Sequence, residues 1–196
     1  ESAAAFVGAL DPAVEVTPLA ERLTPANAAA LVAEAQLVLD CADNFAVSYT
    51  LSDACMSAGV PLISASALAL GGYVGGFCGQ APSLRAVFPD LPDRAGTCAT
   101  AGILGPVVGT LGTIEAQMAL SVLLGLTPSP LGQLVTLAPG LRWGGFRFDG
   151  APEPEGGFRF IDAAEIGPDD FVVDLRDADE APVPVHPAAR RGDTDA

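Results

Sequence analysis

The sequence contains no lysine, and this absence excludes several kinds of chemistry. All nine basic residues among its 196 are arginine, against 24 aspartates and glutamates, so the formal net charge is −15. Without lysine, this chain forms no Schiff base and no P-loop lysine contact to a nucleotide phosphate. Its negative charge disfavours binding to nucleic-acid backbones and to anionic membrane surfaces, because both are negatively charged and repel it. We therefore expect neither a nucleic-acid nor a membrane partner.

Cysteine and histidine ligands for a metal are also scarce. The four cysteines, Cys41, Cys55, Cys78 and Cys98, form no C-x-x-C pair, and His186 is the one histidine. Zinc sites are usually built from such pairs and from several histidines, so zinc is not expected as a cofactor. The cysteines show no disulfide framework, which suits a reducing compartment and favours a cytoplasmic location.

Long uninterrupted apolar runs are missing as well. The most apolar stretch, residues 99–126, is broken by five glycines and Pro106 and contains Glu115, whereas a membrane span needs about 20 continuous apolar residues. Half of all residues are nevertheless hydrophobic and only 17% are charged. That balance is typical of a folded chain with a buried core.

Helical and strand-like segments alternate up to about residue 70. The helical patterns cover residues 2–10, 24–35 and 45–58, and the strand-like patterns cover residues 13–19, 36–40 and 61–67. Such alternation predicts β-α-β units with right-handed crossovers. We therefore predict an α/β fold, with a Rossmann-like, mostly parallel sheet and flanking helices.

An antiparallel extension is predicted to follow this unit. A glycine-rich strand covers residues 71–79, an apolar helix covers 110–125, and two strands are joined around Pro139 and Gly140. The glycines follow a strand without opening a helix, so they do not match a dinucleotide fingerprint and indicate close backbone packing. A dehydrogenase-like Rossmann domain is disfavoured for this reason.

The composition changes near residue 149. Residues 149–157 are rich in glycine, proline and glutamate, as linkers are, and residues 151–196 hold 12 acids against four arginines. The predicted division is a domain at 1–148, a linker at 149–157 and an acidic tail at 158–196.

Two carboxylates and an amide lie where the second strand-like run ends. Asp40 closes the run, and Asp43 and Asn44 stand at the start of the next helix. Ligands of open parallel sheets bind beyond the carboxyl ends of the strands, where helix N-termini also point. Two interpretations are open: Asp43 or Asn44 caps the helix, or a carboxylate holds Mg²⁺ against a nucleotide phosphate.

Cys98 follows a long connection, residues 80–98, and precedes the apolar helix. A thiol near a helix start can have a lowered pKa and act as a nucleophile, but cysteine is also one of the most buried residue types. Both roles are open for Cys98. Cys41, Cys55 and Cys78 lie in apolar strand- or helix-like contexts, and we predict that they pack in the core.

Together these features resemble a known family. The runs LVLDCADNFAVSYTLSDACMSAGVPLISASALALGGYVGGF and GTCATAGILGPVVGTLGTIEA are similar to signatures of the ThiF/MoeB/HesA family, relatives of the ubiquitin-activating enzymes. The similarity covers about residues 1–148. Family members use ATP and Mg²⁺ to adenylate the C-terminal glycine of a ubiquitin-like sulfur carrier (ThiS- or MoaD-like), in thiamine or molybdopterin biosynthesis.

The resemblance implies a role for each candidate residue. Asp43 matches the family's catalytic, Mg²⁺-associated aspartate, and Asn44 matches its neighbour in the nucleotide site. Asp40 is expected to support this site from the strand end. Cys98 matches the cysteine that takes part in sulfur transfer in some members. A homodimer is also implied.

Three departures limit what the resemblance implies. Residues 1–16 resemble the stretch just after the family's ATP-contacting lysine, so the phosphate loop would lie upstream and this chain alone is expected to be inactive. Ser83 and Ala86 stand where one zinc-binding C-x-x-C pair often lies, and the second pair would fall in the cysteine-free 149–157 segment. Ser48 stands where an arginine often follows D-N-F.

Two further alternatives follow from the resemblance. The chain is either part of an active adenylyltransferase or a degenerate, non-catalytic scaffold that binds a ubiquitin-like protein or forms a homodimer. Residues 158–182 weakly resemble the start of a rhodanese domain, with a plain acidic extension as the alternative.

Overall fold

The computed structural model describes residues 2–91, 101–176, 178–179 and 181–192. Its helices are α1 (Ser2–Leu10), α2 (Pro25–Ala33), α3 (Phe45–Ala58), α4 (Leu84–Val87) and α5 (Gly105–Leu123). The main sheet consists of β1 (Val38–Asp40), β2 (Pro61–Leu68), β3 (Gly71–Cys78), β4 (Gln133–Ala138) and β5 (Arg142–Arg147). In the tail, a 3₁₀ turn at Ala163–Glu165 precedes two short strands, β6 (Val173–Asp174) and β7 (Arg190–Arg191).

The strands of the main sheet lie in chain order, β1-β2-β3-β4-β5. The predicted α/β class, the flanking helices and the antiparallel extension are confirmed. Among the described strands of this sheet, however, β1–β2 is the parallel pair and the other three pairings are antiparallel. The parallel share is smaller than predicted because Ala69 and Leu70 turn the chain straight back after β2, whereas a parallel partner would require a long crossover.

The strand predicted at residues 13–19 is wrong. This segment forms neither helix nor strand, and its apolar side chains Val14, Val16 and Leu19 are exposed. An extended segment becomes a strand only when a neighbour offers backbone hydrogen bonds. Within the described residues, β1 pairs with β2 but with nothing on its other edge.

The predicted ends at Thr24 and Gly59 are confirmed because they depend on local signals. The predicted start of the apolar helix at residue 110 is wrong: α5 begins at Gly105, with Pro106 in its first turn, where a helix tolerates proline. Thr24 is the N-cap of α2, with Pro25 at the first helical position and the backbone N–H of Thr24 donating to Asn27 Oδ1 at 2.8 Å. Gly59 ends α3 in the left-handed conformation, with φ of 67°. Glycine adopts this conformation without the strain that a Cβ would add.

The glycine-rich strand β3 packs closely against backbone, as predicted. A Cβ added at Gly72 would lie 2.1 Å from the carbonyl oxygen of Ser66, and one at Gly76 would lie 2.6 Å from that of Pro130. No side chain fits at either distance. These two glycines therefore allow the neighbouring chain segments to approach β3.

The core has two parts, one on each side of the sheet. Successive residues of β2 point to opposite sides, so Leu62 packs in the cluster next to α3 and Ile63 in the cluster next to α5. By length and composition α5 is the one described helix that could cross a membrane. In this fold its Leu111 side chain is buried in the same cluster as Ile63 and Val74.

Candidate functional site

The candidate site lies at the carboxyl end of β1, where Asp40 is almost fully buried. Its exposed fraction is 1%. Asp40 Oδ2 accepts a hydrogen bond from Ser64 Oγ on β2 at 2.9 Å, and Oδ1 accepts one from the backbone N–H of Ala42 at 3.1 Å. Both oxygens thus have donors, and the second bond fixes the start of the loop that leads to α3. Residues 41–44 form the site loop.

Asn44, and not Asp43, caps the helix. The side-chain oxygen of Asn44 accepts a hydrogen bond from the backbone N–H of Val47 at 3.0 Å. Asp43 is exposed beside it, with its Oδ1 3.4 Å from Asn44 Nδ2. A single exposed carboxylate at a helix N-terminus fits Mg²⁺, which usually takes one or two carboxylates and completes its shell with water and phosphate oxygens. The capping alternative therefore applies to Asn44, and Asp43 remains open to a ligand.

The other side of the site loop faces a buried acid that sequence reasoning missed. Glu115 of α5 is 5% exposed, and its two oxygens lie 3.8 and 3.9 Å from Cys41 Sγ. Burial, with the charge of Asp40 as a second cause, raises the pKa of Glu115 to about 7. The sequence did contain a signal for this residue, because Glu115 is the one acidic residue in the apolar stretch 99–126.

The predicted core positions are confirmed for two of the three cysteines. Cys55 and Cys78 are fully buried, and burial raises the pKa of each thiol to about 12. Cys41 is exposed, so the prediction that it packs in the core is wrong. It directly follows the last residue of β1, where the sheet no longer covers the chain. Partial burial, then Glu115 and Asp40, raise the pKa of its thiol. Cys98 lies outside the described residues.

An open pocket adjoins the first turn of α3. Its volume is about 770 Å³. Its walls are mostly aromatic and hydroxyl side chains, namely Phe45, Ser48, Tyr49, Ser66, Tyr73, Leu84, Phe88, Asp90 and Leu91. The Tyr49 hydroxyl donates to the carbonyl oxygen of Phe88 at 2.7 Å, and the Tyr73 and Phe88 rings lie 5.1 Å apart. Ser48, at the position where an arginine often stands, adds no charge to this wall, and Asp90 is the charged residue among those that line it.

The positions expected to bind zinc in the family do not fit a zinc ion here. Ser83 donates from its backbone N–H to Glu153 Oε1 at 2.7 Å and from its hydroxyl to Oε2 at 2.6 Å. Ala86 offers no side-chain donor atom. Zinc favours thiolate and imidazole ligands, and the described residues contain no group of three His, Cys, Asp or Glu that could hold a metal. The Ser83–Glu153 contact joins the two segments that zinc would join.

We predict that this contact stabilises the fold without metal. Replacing Glu153 by alanine removes two hydrogen bonds to a charged group and should lower the free energy of unfolding by about 2 kcal/mol. Urea unfolding measures the loss, with Glu155→Ala as the control in the same linker. A chelator should leave the unfolding midpoint of the wild-type chain unchanged. A midpoint that drops with chelator, or an unchanged Glu153→Ala variant, would contradict the prediction.

Comparison with known proteins decides the family. A protein-family model described as "ThiF family" matches residues 1–147 of this chain. The chain belongs to the ThiF family. The matched region contains Asp40, Asp43, Asn44 and Glu115, so the whole candidate site lies inside the ThiF family region. The division at residue 148 into domain, linker and tail stays a prediction.

Curated relatives of this ThiF family chain are adenylyltransferases by name. The pig "Adenylyltransferase and sulfurtransferase MOCS3" is 44% identical over 137 residues, covering 68% of this chain and 30% of the relative. The E. coli K12 "Molybdopterin-synthase adenylyltransferase" is 36% identical, covering 69% and 55%. The E. coli K12 "Sulfur carrier protein ThiS adenylyltransferase" is 38% identical, covering 64% and 50%. The chain thus spans 30% to 55% of the length of these three relatives.

Solved structures with the same fold include MccB of E. coli. One MccB crystal structure matches with a TM-score of 0.64 at 14% identity, covering 81% of this chain and 50% of that chain. A second, with AMPCPP and MccA, matches with a TM-score of 0.62 at 13% identity, covering 76% and 47%. At such low identity the likeness establishes the fold of this ThiF family member.

Proposed function

We propose that this chain is part of an ATP-dependent adenylyltransferase that activates the C-terminal glycine of a ubiquitin-like sulfur carrier. The observation that carries the proposal is the exposed Asp43 at the start of α3. Its carboxylate is available to a ligand because Asn44 supplies the helix cap. The names of the relatives support it, since two of them denote adenylyltransferases of molybdopterin synthase and of the sulfur carrier ThiS. A ThiS- or MoaD-like partner follows from those names.

In the proposed reaction the carboxylate of the carrier attacks the α-phosphorus of ATP. An acyl adenylate forms and pyrophosphate leaves. Negative charge is concentrated around the phosphorus, so groups that offset it act as catalysts. A bound Mg²⁺ would supply such a charge, and Asp43 is the described residue placed to hold it. The N-terminus of α3, with its backbone N–H groups and positive dipole end, favours the phosphate on the same side.

The pocket beside α3 is the proposed entry for the carrier's tail. The rings of Tyr49, Tyr73 and Phe88 and the hydroxyl of Ser48 form a wall that suits a narrow peptide. The terminal carboxylate would then approach the first turn of α3, next to Asp43. Large-volume clefts with aromatic walls and few polar groups are common ligand sites.

Several parts of the proposal concern the whole protein. The names of the relatives, which denote adenylyltransferases, support the use of ATP, and the exposed carboxylate of Asp43 supports the proposal of Mg²⁺. Sulfur transfer through Cys98, a homodimer and a cytoplasmic location stay predictions. The "Adenylyltransferase and sulfurtransferase uba4" of Pyricularia oryzae aligns with 82% of this chain at 35% identity. That extent favours a tail related to a sulfurtransferase, and a rhodanese-like tail is part of the proposal.

Exchange of pyrophosphate into ATP tests the function. We expect carrier-dependent exchange from the whole enzyme that contains this chain, and none from residues 1–196 alone, because these residues include no lysine to contact a nucleotide phosphate. The control is the carrier without its C-terminal glycine. Binding of the carrier with no exchange by the whole protein would replace the proposal with the scaffold alternative. Clear exchange by the isolated chain would overturn the prediction that it is inactive alone.

A further inference from the structure

We propose that residues 151–160 form a strap that folds back onto α3 and α4, and that Phe160 of this strap positions the wall of the pocket beside α3 through Tyr49. The strap lies beyond the ThiF family region, which ends at residue 147. The proposal rests on the proposed function, in which the pocket takes the carrier's tail. Phe160 acts through Tyr49 and touches no reacting atom, so it is a positioning residue.

The strap starts from a fixed point, although much of it has the composition of a linker. Phe148 is 6% exposed, and its ring stacks on that of Phe77 with the centroids 5.2 Å apart. The carbonyl oxygen of Phe148 accepts the backbone N–H of Ala151 at 2.9 Å, and Ala151 packs against the same core cluster. That cluster lies next to α3, so the chain leaves the sheet on the side of α3.

Glu153 makes the first attachment of the strap. Its two oxygens accept the backbone N–H and the hydroxyl of Ser83 at 2.7 and 2.6 Å. Ser83 is the N-cap of α4, and the next residue, Leu84, lines the pocket beside α3. The strap then runs beside α3 across an open cavity of about 320 Å³. The walls of this cavity include Asp53, Met56 and Ser57 of the helix and Pro154 and Gly156 of the strap.

Phe160 makes the second attachment, on Tyr49. The two rings meet edge to face, with their centroids 6.4 Å apart and their planes at 62°. Phe160 also packs against the core cluster that contains Tyr49, whereas Phe158, two residues earlier, is 98% exposed. Edge-to-face ring pairs add a directional attraction to the burial of the rings. Phe160 therefore favours one orientation of the Tyr49 ring.

Tyr49 carries this constraint to the pocket that it lines. Its hydroxyl donates to the carbonyl oxygen of Phe88 at 2.7 Å, and the guanidinium of Arg85 lies 4.9 Å from its ring centroid. Arg85 is itself held by Asp53 through two hydrogen bonds of 2.6 and 2.9 Å. Tyr49 thus has a partner at its hydroxyl, one over its ring face and one in Phe160. Without Phe160, the ring is free to tilt and the wall loses its fixed shape.

The test compares Phe160→Ala with Phe158→Ala in the whole enzyme. Both variants remove a phenyl ring from the same segment, but the ring of Phe160 packs on Tyr49 and that of Phe158 is exposed. Calorimetric titration with the carrier that supports exchange should show about fivefold weaker binding in Phe160→Ala, because an oriented ring pair is lost. Binding should be unchanged in Phe158→Ala. The affinity for ATP and kcat should stay within twofold of wild type in both, since neither ring belongs to the site loop.

Arg159 lies between the two phenylalanines and gives a second readout, which does not depend on activity. Trypsin cleaves after arginine, and its rate follows the fraction of time that the segment is detached from the fold. We expect cleavage after Arg159 to be about fivefold faster in Phe160→Ala than in Phe158→Ala or wild type. Each rate is divided by the rate for the same protein unfolded in urea, which removes the effect of the changed neighbour on trypsin itself.

The outcomes separate this inference from the proposed function. Equal cleavage after Arg159 in Phe160→Ala and Phe158→Ala would overturn the strap, whatever the activity. Faster cleavage with unchanged carrier binding would overturn the link between Phe160 and the pocket. A parallel loss of carrier binding, ATP binding and kcat would assign Phe160 to general stability. Weaker carrier binding in Phe160→Ala, in a protein whose wild type binds the carrier without pyrophosphate exchange, would support the inference and remove the adenylation proposal.

Discussion

Replacing Asp43 by alanine is expected to lower adenylate formation by the whole enzyme about 10²- to 10³-fold while the fold survives. The physical reason is that Asn44 and Asp43 have different roles at the start of α3. Asn44 caps the helix, so the exposed carboxylate of Asp43 contributes little to stability. Its removal takes away the proposed ligand of Mg²⁺ at the point where charge concentrates. Pyrophosphate exchange and thermal unfolding together measure the effect.

Asn44→Ala is the matched variant for this prediction. It removes the cap and should lower the free energy of unfolding by about 1 kcal/mol, whereas Asp43→Ala should leave the melting temperature nearly unchanged. Retained exchange in Asp43→Ala would mean that this carboxylate has no role in the reaction. A large loss of stability in Asp43→Ala would show that it supports the loop instead.

Glu115→Gln is expected to remove a pH dependence from the stability of the chain. The pKa of Glu115 is raised to about 7 in the fold from an ordinary value of 4.5. Between these values the folded state holds a proton that the unfolded state has released. The stability therefore falls as pH rises from about 4.5 to 7, by about 1.4 kcal/mol per pH unit at most, and is flat above 7. Glutamine is always neutral, so the variant should lack this slope.

Urea unfolding at several pH values between 4.5 and 8 tests this prediction. At pH 8 Glu115→Gln should be more stable than wild type, because the wild type then carries a buried charge near Asp40 and Cys41. Glu21→Gln, an exposed change, is the control and should keep the wild-type slope. Asp149 does not contribute in this range, since its pKa is lowered from 3.8. If the pH dependence of stability persists in Glu115→Gln, it arises from other titrating groups.

Features that depend on neighbours in the chain were predictable. Thr24 and Pro25 at one helix start, Gly59 at a helix end and the D-C-A-D-N-F run all act within a few residues, so the sequence alone located them. The apolar strand-like runs, which alternate with helical segments, likewise predicted β1 and β2. The same pattern failed at residues 13–19, because a strand also needs a partner and the pattern contains no information about one.

The sequence by itself determined the family, the start of α2, the end of α3 and the position of Asp43 beyond a strand end. Only the tertiary structure decided which distant residues meet there. Glu115 lies beside Cys41, Glu153 beside Ser83, and Ser64 beside Asp40 because of strand order, register and the side of the sheet on which each residue lies. Such contacts join residues up to 74 positions apart, and no local propensity encodes them. They arise when the packing of the whole sheet brings the segments together.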